Sequence, residues 1–432
     1  MDNDLLQKIK NNDVSISKVY IAKRSLYDNA DLLIDALKSN TNVKTIWLCS
    51  DWDIPDTKTL LYILNGLTYN TTVTRIILSN KIIRGNLTIG IRDFIKTTST
   101  IKFLRLNKNE LGDDDETIAI LAESIKTNTS VETLSLSDNE IGNKGLKILA
   151  NALEINRSIT DIDLYSNKIG DEGVIALTET LKINTNIRKI CLFANQIGPK
   201  GAIALSPFFK SDSNIDIDIG YNKINDEGCI SIMNIIKNNP FQKIINFYRN
   251  NIRTEGIKVL SEYLKFNSTV KIVELAENNL GDEEVIMLAE SIKINRTLTI
   301  IKLSYNRIGD KGIIALAESL KFNYSMRKII LHSPNIGEDG EKAIIKLLQH
   351  NYSIKYIGSN NNIIEKLSKS NKRTQRIIEW MPWKNHHICK KMMPIFHDIV
   401  LTLLYLFFIS QIFLRREKRK LRQQNFKKKQ KN

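Results

Sequence analysis

The sequence predicts an α/β solenoid in which short strands and helices alternate and stack unit upon unit. Three observations support this fold class: a repeat of about 28 residues, an apolar period of two in one part of each repeat, and helical spacing in the next part. The repeat is marked by an asparagine that returns at a nearly constant step, from Asn139 and Asn167 through to Asn306. A unit of this size cannot bury its own hydrophobic face, so it must stack on its neighbours.

Each repeat is predicted to contain one strand followed by one helix. In the unit that starts at Val131, the alternation of Leu134 and Leu136 is typical of a short strand with one buried face. Residues 145–153 then have helical spacing, with their apolar side chains on one side. The next unit, which starts at Ile159, repeats the same pattern.

An asparagine ladder is expected along the turns that follow the strands. The short amide can hydrogen-bond backbone groups that would otherwise be buried without a partner, and asparagine tolerates left-handed dihedrals. The predicted ladder residues are Asn109, Asn139, Asn167, Asn195, Asn222, Asn250, Asn278 and Asn306. Arg24, Asp51, Lys81 and Pro334 take the equivalent position near the two ends of the array, where atypical repeats are expected.

The consensus L-x-x-L-x-L-x-x-N-x-I-G-D-x-G-x-x-x-L-A-x-x-L-K-x-N resembles the leucine-rich repeats of the ribonuclease-inhibitor type. Similar repeats occur in Ran GTPase-activating proteins and in the sensor regions of intracellular immune receptors. The resemblance covers residues 14–362 and implies a horseshoe with a parallel sheet on the concave face and helices on the convex face. It also implies a fold that more often binds than catalyses, although a fold alone does not define function.

The charge of the chain is concentrated at its C-terminal end. The net charge is +16, and residues 365–432 contain 18 Lys or Arg against four Asp or Glu, which leaves +2 for the first 364 residues. A nearly neutral solenoid argues against nucleic-acid binding along the repeats, because such binding needs many Lys and Arg on one face. The predicted organisation is a lead-in at 1–13, the solenoid at 14–362, a cap with a basic linker at 363–394, a transmembrane helix at 395–414 and a basic disordered tail at 415–432.

Residues 395–414 are predicted to form a transmembrane helix. Of these 20 residues, 14 are Ile, Leu, Val or Phe, and a helix of this length spans about 30 Å, the thickness of a bilayer core. His397 and Asp398 lie inside the segment, but the apolar residues outweigh one Asp in transfer free energy. The alternative is a buried helix that packs on the last repeat.

The flanking residues predict a single-pass membrane protein with its repeats in the cytosol. A basic cluster at 415–422 follows the apolar segment directly and is expected to attract anionic headgroups. The first residues of the chain lack the pattern of a secretory signal peptide, and the four cysteines form no C-x-x-C arrangement. A soluble cytoplasmic protein is the alternative.

The sequence predicts no catalytic residue, no cofactor and no metal site. It contains no G-x-x-x-x-G-K-[ST] phosphate loop, no H-E-x-x-H and no G-x-S-x-G motif. His386, His387 and Cys389 are close in sequence, but adjacent histidine side chains diverge on most backbones. Glycosylation sequons follow nearly every helix, where a structural role in the turn is the simpler interpretation. Their asparagines are Asn128, Asn156, Asn267, Asn295, Asn323 and Asn351.

A partner-binding surface is predicted on the concave face, where strand residues alternate with the buried ones. Aromatic residues occupy the two positions before the ladder asparagine in several repeats, and acidic residues lie on neighbouring strand positions. The aromatic candidates are Tyr165, Phe193, Tyr221, Tyr248 and Tyr305, and the acidic candidates are Asp161, Asp163, Asp216, Asp218 and Glu274. Large rigid rings with a polar rim are typical of interface hot spots, so we expect a basic or amphipathic protein partner. The alternative is that the rings only fill space between neighbouring strands.

These features together predict a membrane-tethered protein–protein interaction scaffold. Richness in Ile, Lys and Asn suits an AT-rich genome, and a source that lives within host cells would favour a host-directed effector or an immune modulator. The alternative function is a soluble regulator of a small GTPase, of the GTPase-activating type, with a basic targeting tail.

Overall fold

The computed structural model describes residues 3–21, 29–49, 57–79, 83–113, 115–210, 215–332 and 335–358. Within these ranges, thirteen short strands alternate with α-helices, as the repeat predicts. The predicted span at 395–414 and the tail after it lie outside the described residues. The atypical positions Arg24, Asp51, Lys81 and Pro334 also lie outside them.

The strands are short, from three to five residues each. They are β1 (Lys18–Tyr20), β2 (Thr45–Cys49), β3 (Arg75–Ser79), β4 (Phe103–Arg105), β5 (Thr133–Ser135), β6 (Asp161–Asp163), β7 (Lys189–Cys191), β8 (Asp216–Asp218), β9 (Ile244–Asn246), β10 (Ile272–Glu274), β11 (Ile300–Lys302), β12 (Lys328–Ile330) and β13 (Tyr356–Gly358). The helices are α1 (Asn3–Lys10), α2 (Ala30–Lys38), α3 (Thr57–Leu67), α4 (Asn86–Thr97), α5 (Asp115–Thr127), α6 (Asn143–Ile155), α7 (Asp171–Ile183), α8 (Pro199–Leu205), α9 (Asn225–Ile236), α10 (Thr254–Phe266), α11 (Asp282–Ile294), α12 (Asp310–Leu320) and α13 (Glu338–His350). Short 3-10 helices cover Leu111–Asp113 and Ser206–Phe209.

Neighbouring strands pair in parallel and in sequence order, in one sheet from β1 to β8 and a second from β9 to β13. The register follows the repeat, so that Leu134 pairs with Ile162 and Ile162 with Ile190. Between β8 and β9 the turns maintain the stacking, because the N–H of Tyr221 donates to the carbonyl of Tyr248 at 2.7 Å. The whole described array is therefore an α/β solenoid.

The apolar core lies between the strands and the helices of each repeat. In the repeat that contains β5, Leu134 and Leu136 are buried from the strand side, and Leu149 and Leu153 of α6 are buried from the helix side. Burial of one such side chain contributes about 1.5–3 kcal/mol. Because every repeat adds the same set, apolar packing between repeats supplies most of the stability of the array.

The ladder asparagines are buried and bind backbone groups of two repeats at once. The amide nitrogen of Asn167 donates to the carbonyls of Leu136 and Leu164 at 3.1 and 3.0 Å. Its oxygen accepts from the N–H groups of Asn139 and Ile141 at 3.1 and 2.9 Å. Equivalent amide-to-carbonyl bonds are made by Asn109, Asn139, Asn195, Asn222, Asn250, Asn278 and Asn306.

Two details of the ladder differ from the expectation. The left-handed dihedrals fall on the residues beside the asparagines, such as Ser166 and Tyr221, and not on the asparagines themselves. Asparagine is therefore needed here for its hydrogen bonds and not for its backbone freedom. At the junction of the two sheets, Asn250 Oδ1 is buried and has no hydrogen-bond partner among the described residues.

A second row of asparagines, which includes most of those in the sequons, forms a similar ladder where the helices end. Asn267 is the exception, because its amide donates to the hydroxyls of Tyr263 and Thr269. Asn323 donates to the carbonyls of Ile292 and Asn295 at 2.7 and 2.9 Å, and its oxygen accepts from the N–H of Ser325 at 2.9 Å. Asn351 repeats this arrangement one unit later and is also buried. A glycan could not be attached to Asn323 or Asn351 in the folded chain, because both amides are enclosed and already bonded.

The I-G-D-x-G part of the repeat builds a cap between successive helices. Gly170 precedes α7 and offers no side chain for capping, but Asn143 Oδ1 from the previous repeat accepts from the N–H groups of Gly170 and Gly173 at 2.7 and 3.1 Å. Asp171 does the same for Gly201 at 2.8 Å. A Cβ at Gly173 would lie 2.9 Å from Asn143 Oδ1, so this close approach needs glycine.

No helix within the described ranges combines the length and the apolar character that a membrane crossing requires.

Candidate functional site

An aromatic cluster lies on the sheet face, the side of the strands that is opposite the helices. It consists of Tyr165, Phe193, Tyr221 and Tyr248, and it spans four successive repeats. Tyr165 stacks on Phe193 with ring centroids 5.6 Å apart, and Phe193 stacks on Tyr248 at 5.7 Å. Tyr221 meets Phe193 and Tyr248 edge-on at 6.0 and 6.4 Å. The structure thus brings together four of the five predicted rings, in the stacked and edge-to-face arrangements that aromatic pairs prefer.

Gly220 allows two of these rings to meet across an intervening repeat. Phe193 and Tyr248 belong to repeats that are not adjacent, and Gly220 takes the equivalent position between them. A Cβ at Gly220 would lie 2.7 Å from Cδ2 of Phe193, which is too close for any real side chain. Tyr221, the next residue, has a φ of 55° and points its ring to the edge of the same cluster. The cluster therefore depends on one missing side chain.

Charged residues hold the C-terminal side of the aromatic cluster in place. The guanidinium of Arg249 lies over the Tyr221 ring, 3.9 Å from its centroid, and pairs with Glu277 at 2.9 Å. The hydroxyl of Tyr248 donates to Glu277 as well. This hydrogen bond, with burial and the charge of Glu277, raises the pKa of Tyr248 to about 12. The rings are thus fixed by polar contacts and not only by their own packing.

The acidic candidates lie on the strands beside the rings. Asp163 accepts from the hydroxyls of Ser135 and Ser137 at 2.8 and 3.0 Å. Cys191 of β7 pairs in register with Asp163 on one side and Asp218 on the other. Burial and these carboxylates raise the pKa of the Cys191 thiol to about 11, so the thiol stays protonated at neutral pH.

Asp161 and Asp216 form an outer pair on the same strands. Lys189 lies between them in the register of β6, β7 and β8. Asp161 also accepts from the hydroxyl of Thr160 at 2.6 Å. Both carboxylates keep access to solvent, so the surface next to the aromatic cluster remains acidic on balance.

Two predicted site residues lie differently from the expectation. Glu274 is 8% exposed, pairs with Lys302 at 2.5 Å and accepts from the N–H of Ala276 at 3.1 Å. It is therefore part of the strand structure and offers little surface to a partner. Tyr305 is exposed but separate from the cluster, since its ring neighbour is His332, with centroids 6.4 Å apart.

Three residues that shape the cluster are not among those predicted from the sequence: Gly220, Arg249 and Glu277. All three lie in the two positions before a ladder asparagine, which is the signal that could have found them. Within the described residues, no group of three or more His, Cys, Asp or Glu has an arrangement that could hold a metal ion.

The family comparisons agree with the repeat architecture. Residues 222–379 match the model of the TMOD/LMOD Leucine-rich domain. The model of the Leucine Rich repeat matches at 127–150, 156–177 and 184–206. No curated protein matches the chain in sequence.

Several solved structures are similar to the chain. A structure titled Leiomodin-1 Actin-Binding Site 2 shares 26% identity over 35% of this chain and 94% of that chain, with a TM-score of 0.31. The leucine-rich repeat-containing protein LegL7 from Legionella pneumophila shares 13% identity over 76% of this chain and 97% of its own, with a TM-score of 0.40. An internalin from Listeria monocytogenes shares 18% identity over 73% of this chain and 93% of its own, with a TM-score of 0.41.

The family matches and the alternating strands and helices identify the chain as a leucine-rich repeat protein. Its repeats form a binding scaffold of the kind that carries protein–protein interactions.

Proposed function

We propose that the aromatic cluster on the sheet face binds a basic or amphipathic segment of a protein partner. The observation that carries the proposal is the contact between Tyr165, Phe193, Tyr221 and Tyr248 across four repeats, with acidic side chains beside them. The rings of Tyr165 and Tyr221 are exposed. A partner would therefore find a large rigid surface that needs little ordering on binding.

The electrostatic surroundings favour a cationic partner. Asp161, Asp163, Asp216 and Asp218 lie on the strands N-terminal to the rings, and Lys189 is the one basic residue among the strand residues of β6, β7 and β8. Lys or Arg of a partner could pair with these carboxylates, while an apolar side chain of the partner packs on the rings. Such charges act mainly on the rate and specificity of association, and the rings supply most of the affinity.

The proposal is tested by selecting displayed random peptides on the full-length chain. We expect the selected peptides to combine Lys or Arg with aromatic or aliphatic residues, and to lose binding to a Tyr165→Ala, Tyr221→Ala double variant. Tyr305→Ala is the matched control, because Tyr305 is an exposed tyrosine on the same face but outside the cluster. Peptides that lack cations, or that bind the double variant as well as the parent, would contradict the proposal.

We also propose that residues 395–414 tether the scaffold to a membrane, with the repeats in the cytosol. The support is compositional, because Ile, Leu, Val and Phe make up most of the segment and basic residues follow at once. The test is carbonate extraction of the full-length chain and of a Leu404→Arg, Phe408→Arg variant. Each arginine costs about 3 kcal/mol at the centre of a span, so the variant should be extracted and the parent retained. Extraction of the parent would refute the tether. Separately from the tether, a host-directed role is proposed only for a source that lives within host cells.

A further inference from the structure

A row of exposed apolar side chains follows the edge of the solenoid where the helices end. Phe266, Ile294 and Phe322, here called the apolar edge, recur at the same position of three successive repeats. They are 87%, 55% and 68% exposed. A single exposed apolar residue needs no explanation, so the apolar edge gains its meaning from the charges beside it.

A cationic cleft borders the apolar edge. Its walls are Lys271, Arg296 and Arg327 with the rings of Phe322 and Tyr324 and three hydroxyl side chains, and its volume is about 430 Å³. Phe322 belongs to both features, so the cleft and the apolar edge form one continuous surface. No carboxylate of the described residues lines the cleft. The positive charge of the cleft therefore selects an anion.

The arginines are held in place but keep free donors. Nη1 of Arg327 donates to the carbonyls of Tyr324 and Ser353 at 2.8 and 3.3 Å, and Nη1 of Arg296 donates to the carbonyl of Lys293 at 3.0 Å. A guanidinium has five N–H donors, so donors remain for a ligand. No ion pair between described residues uses Lys271, Arg296 or Arg327; the pairs of Lys265 with Glu262 and of Lys302 with Glu274 involve other cations.

We propose that this edge of the solenoid docks on an anionic phospholipid bilayer. The phosphate of a headgroup would enter the cleft, while Phe266, Ile294 and Phe322 enter the boundary between headgroups and acyl chains. Interfacial membrane surfaces combine apolar side chains with Lys and Arg at headgroup level in this way. A soluble phosphate compound would use the cleft but leave the apolar edge exposed, so the two features together favour the bilayer.

The arrangement of charge along the chain agrees with an anionic surface. Lys265, Lys293 and Lys321 each directly precede a residue of the apolar edge. The chain that continues beyond β13 carries 18 Lys or Arg against four Asp or Glu in residues 365–432, and the same headgroups would attract it. The docking edge is a different surface from the aromatic cluster, and it acts whether or not residues 395–414 cross the bilayer.

The test places a tryptophan at the apolar edge of the full-length chain. A Phe322→Trp variant is mixed with vesicles of equimolar phosphatidylcholine and phosphatidylserine that carry bromine on their acyl chains. The same four native tryptophans are present in the variant and in the parent. The difference in emission between the two proteins therefore reports on position 322. We expect most of this added emission to be quenched, and little quenching with vesicles of phosphatidylcholine alone.

A charge variant and a control position make the result specific. Lys271→Gln with Arg296→Gln, added to Phe322→Trp, should lose most of the quenching while thermal unfolding stays unchanged. An Ile155→Trp variant is the matched control, because Ile155 has the same position in its repeat and is 52% exposed. Arg296 belongs to the repeat before Phe322, and Thr129 has the equivalent position in the repeat before Ile155. The control position therefore lacks the arginine that Phe322 has beside it.

Three outcomes would overturn the proposal. They are unquenched emission at position 322, equal quenching by vesicles with and without phosphatidylserine, and equal quenching at positions 155 and 322. All samples contain residues 395–414, so insertion of that segment alone cannot produce the expected differences.

Discussion

Replacement of Asn167 by alanine should loosen two repeats of the solenoid. The side chain is buried, donates to the carbonyls of Leu136 and Leu164, and accepts from the N–H groups of Asn139 and Ile141. Alanine removes these hydrogen bonds and leaves three backbone groups without a partner among the described residues, namely the carbonyl of Leu136 and the N–H groups of Asn139 and Ile141. The carbonyl of Leu164 keeps the hydrogen bond from Asn195. Water would reach such enclosed groups only after the turn opens.

The magnitude follows from the number of groups. A buried backbone group without a partner costs about 1–3 kcal/mol. With the lower figure for each of the three groups, the local free energy of opening falls by about 3 kcal/mol, which accelerates exchange of the protected amides roughly a hundredfold. The matched control is Asn186→Ala, since Asn186 is less buried and donates one bond, to the carbonyl of Arg157 at 2.8 Å. The control should cost about 1 kcal/mol or less.

Hydrogen–deuterium exchange of the full-length chain gives the measurement. Peptides that contain residues 133–142 and 161–170 should lose protection in the Asn167→Ala variant, while peptides from α11 and β11 should exchange as in the parent. A local readout is needed because each repeat contacts only its neighbours and the array need not unfold in one step. Equal protection in the Asn167 and Asn186 variants would show that the ladder hydrogen bonds do not hold the repeats together.

Two further predictions concern the helix caps and the aromatic cluster. Asp171→Ala removes the acceptor of the Gly198 and Gly201 N–H groups, so it should destabilise the start of α8 by about 1 kcal/mol, as seen by exchange of peptide 198–205. Asp171→Asn should be nearly neutral, because Asn143 makes the same contacts one repeat earlier. Glu277→Gln should lower the pKa of Tyr248 from about 12 toward its ordinary value of 10, measured by ultraviolet titration of the phenolate. The folded state favours the protonated hydroxyl, so this contribution to stability is complete below pH 10 and is lost as the pH rises through about 12. An unchanged titration of Tyr248 in the variant would mean that Glu277 does not accept its hydrogen bond.

Much of the fold could be predicted from the sequence, because the repeat is a local pattern. The alternation at Leu134 and Leu136 defines a strand and the helical spacing from 145 to 153 defines a helix, and both are found within a few residues of the predicted bounds. The constant length of the repeat then sets which strands are neighbours. The membrane span at 395–414 stays a prediction, since it lies outside the described residues.

The sequence by itself determined the order of repeats, the rows of buried and exposed positions, and the asparagines that the turns require. Only the tertiary structure decided which side chains meet. Phe193 contacts Tyr248 across Gly220, and Glu274 forms an ion pair with Lys302. Side chains of three repeats form a cleft around Phe322. The physical reason is that periodicity arises from hydrogen bonding and apolar burial within one unit. Contacts between side chains depend instead on their sizes and charges in neighbouring repeats, and on the space that a residue such as Gly220 leaves open.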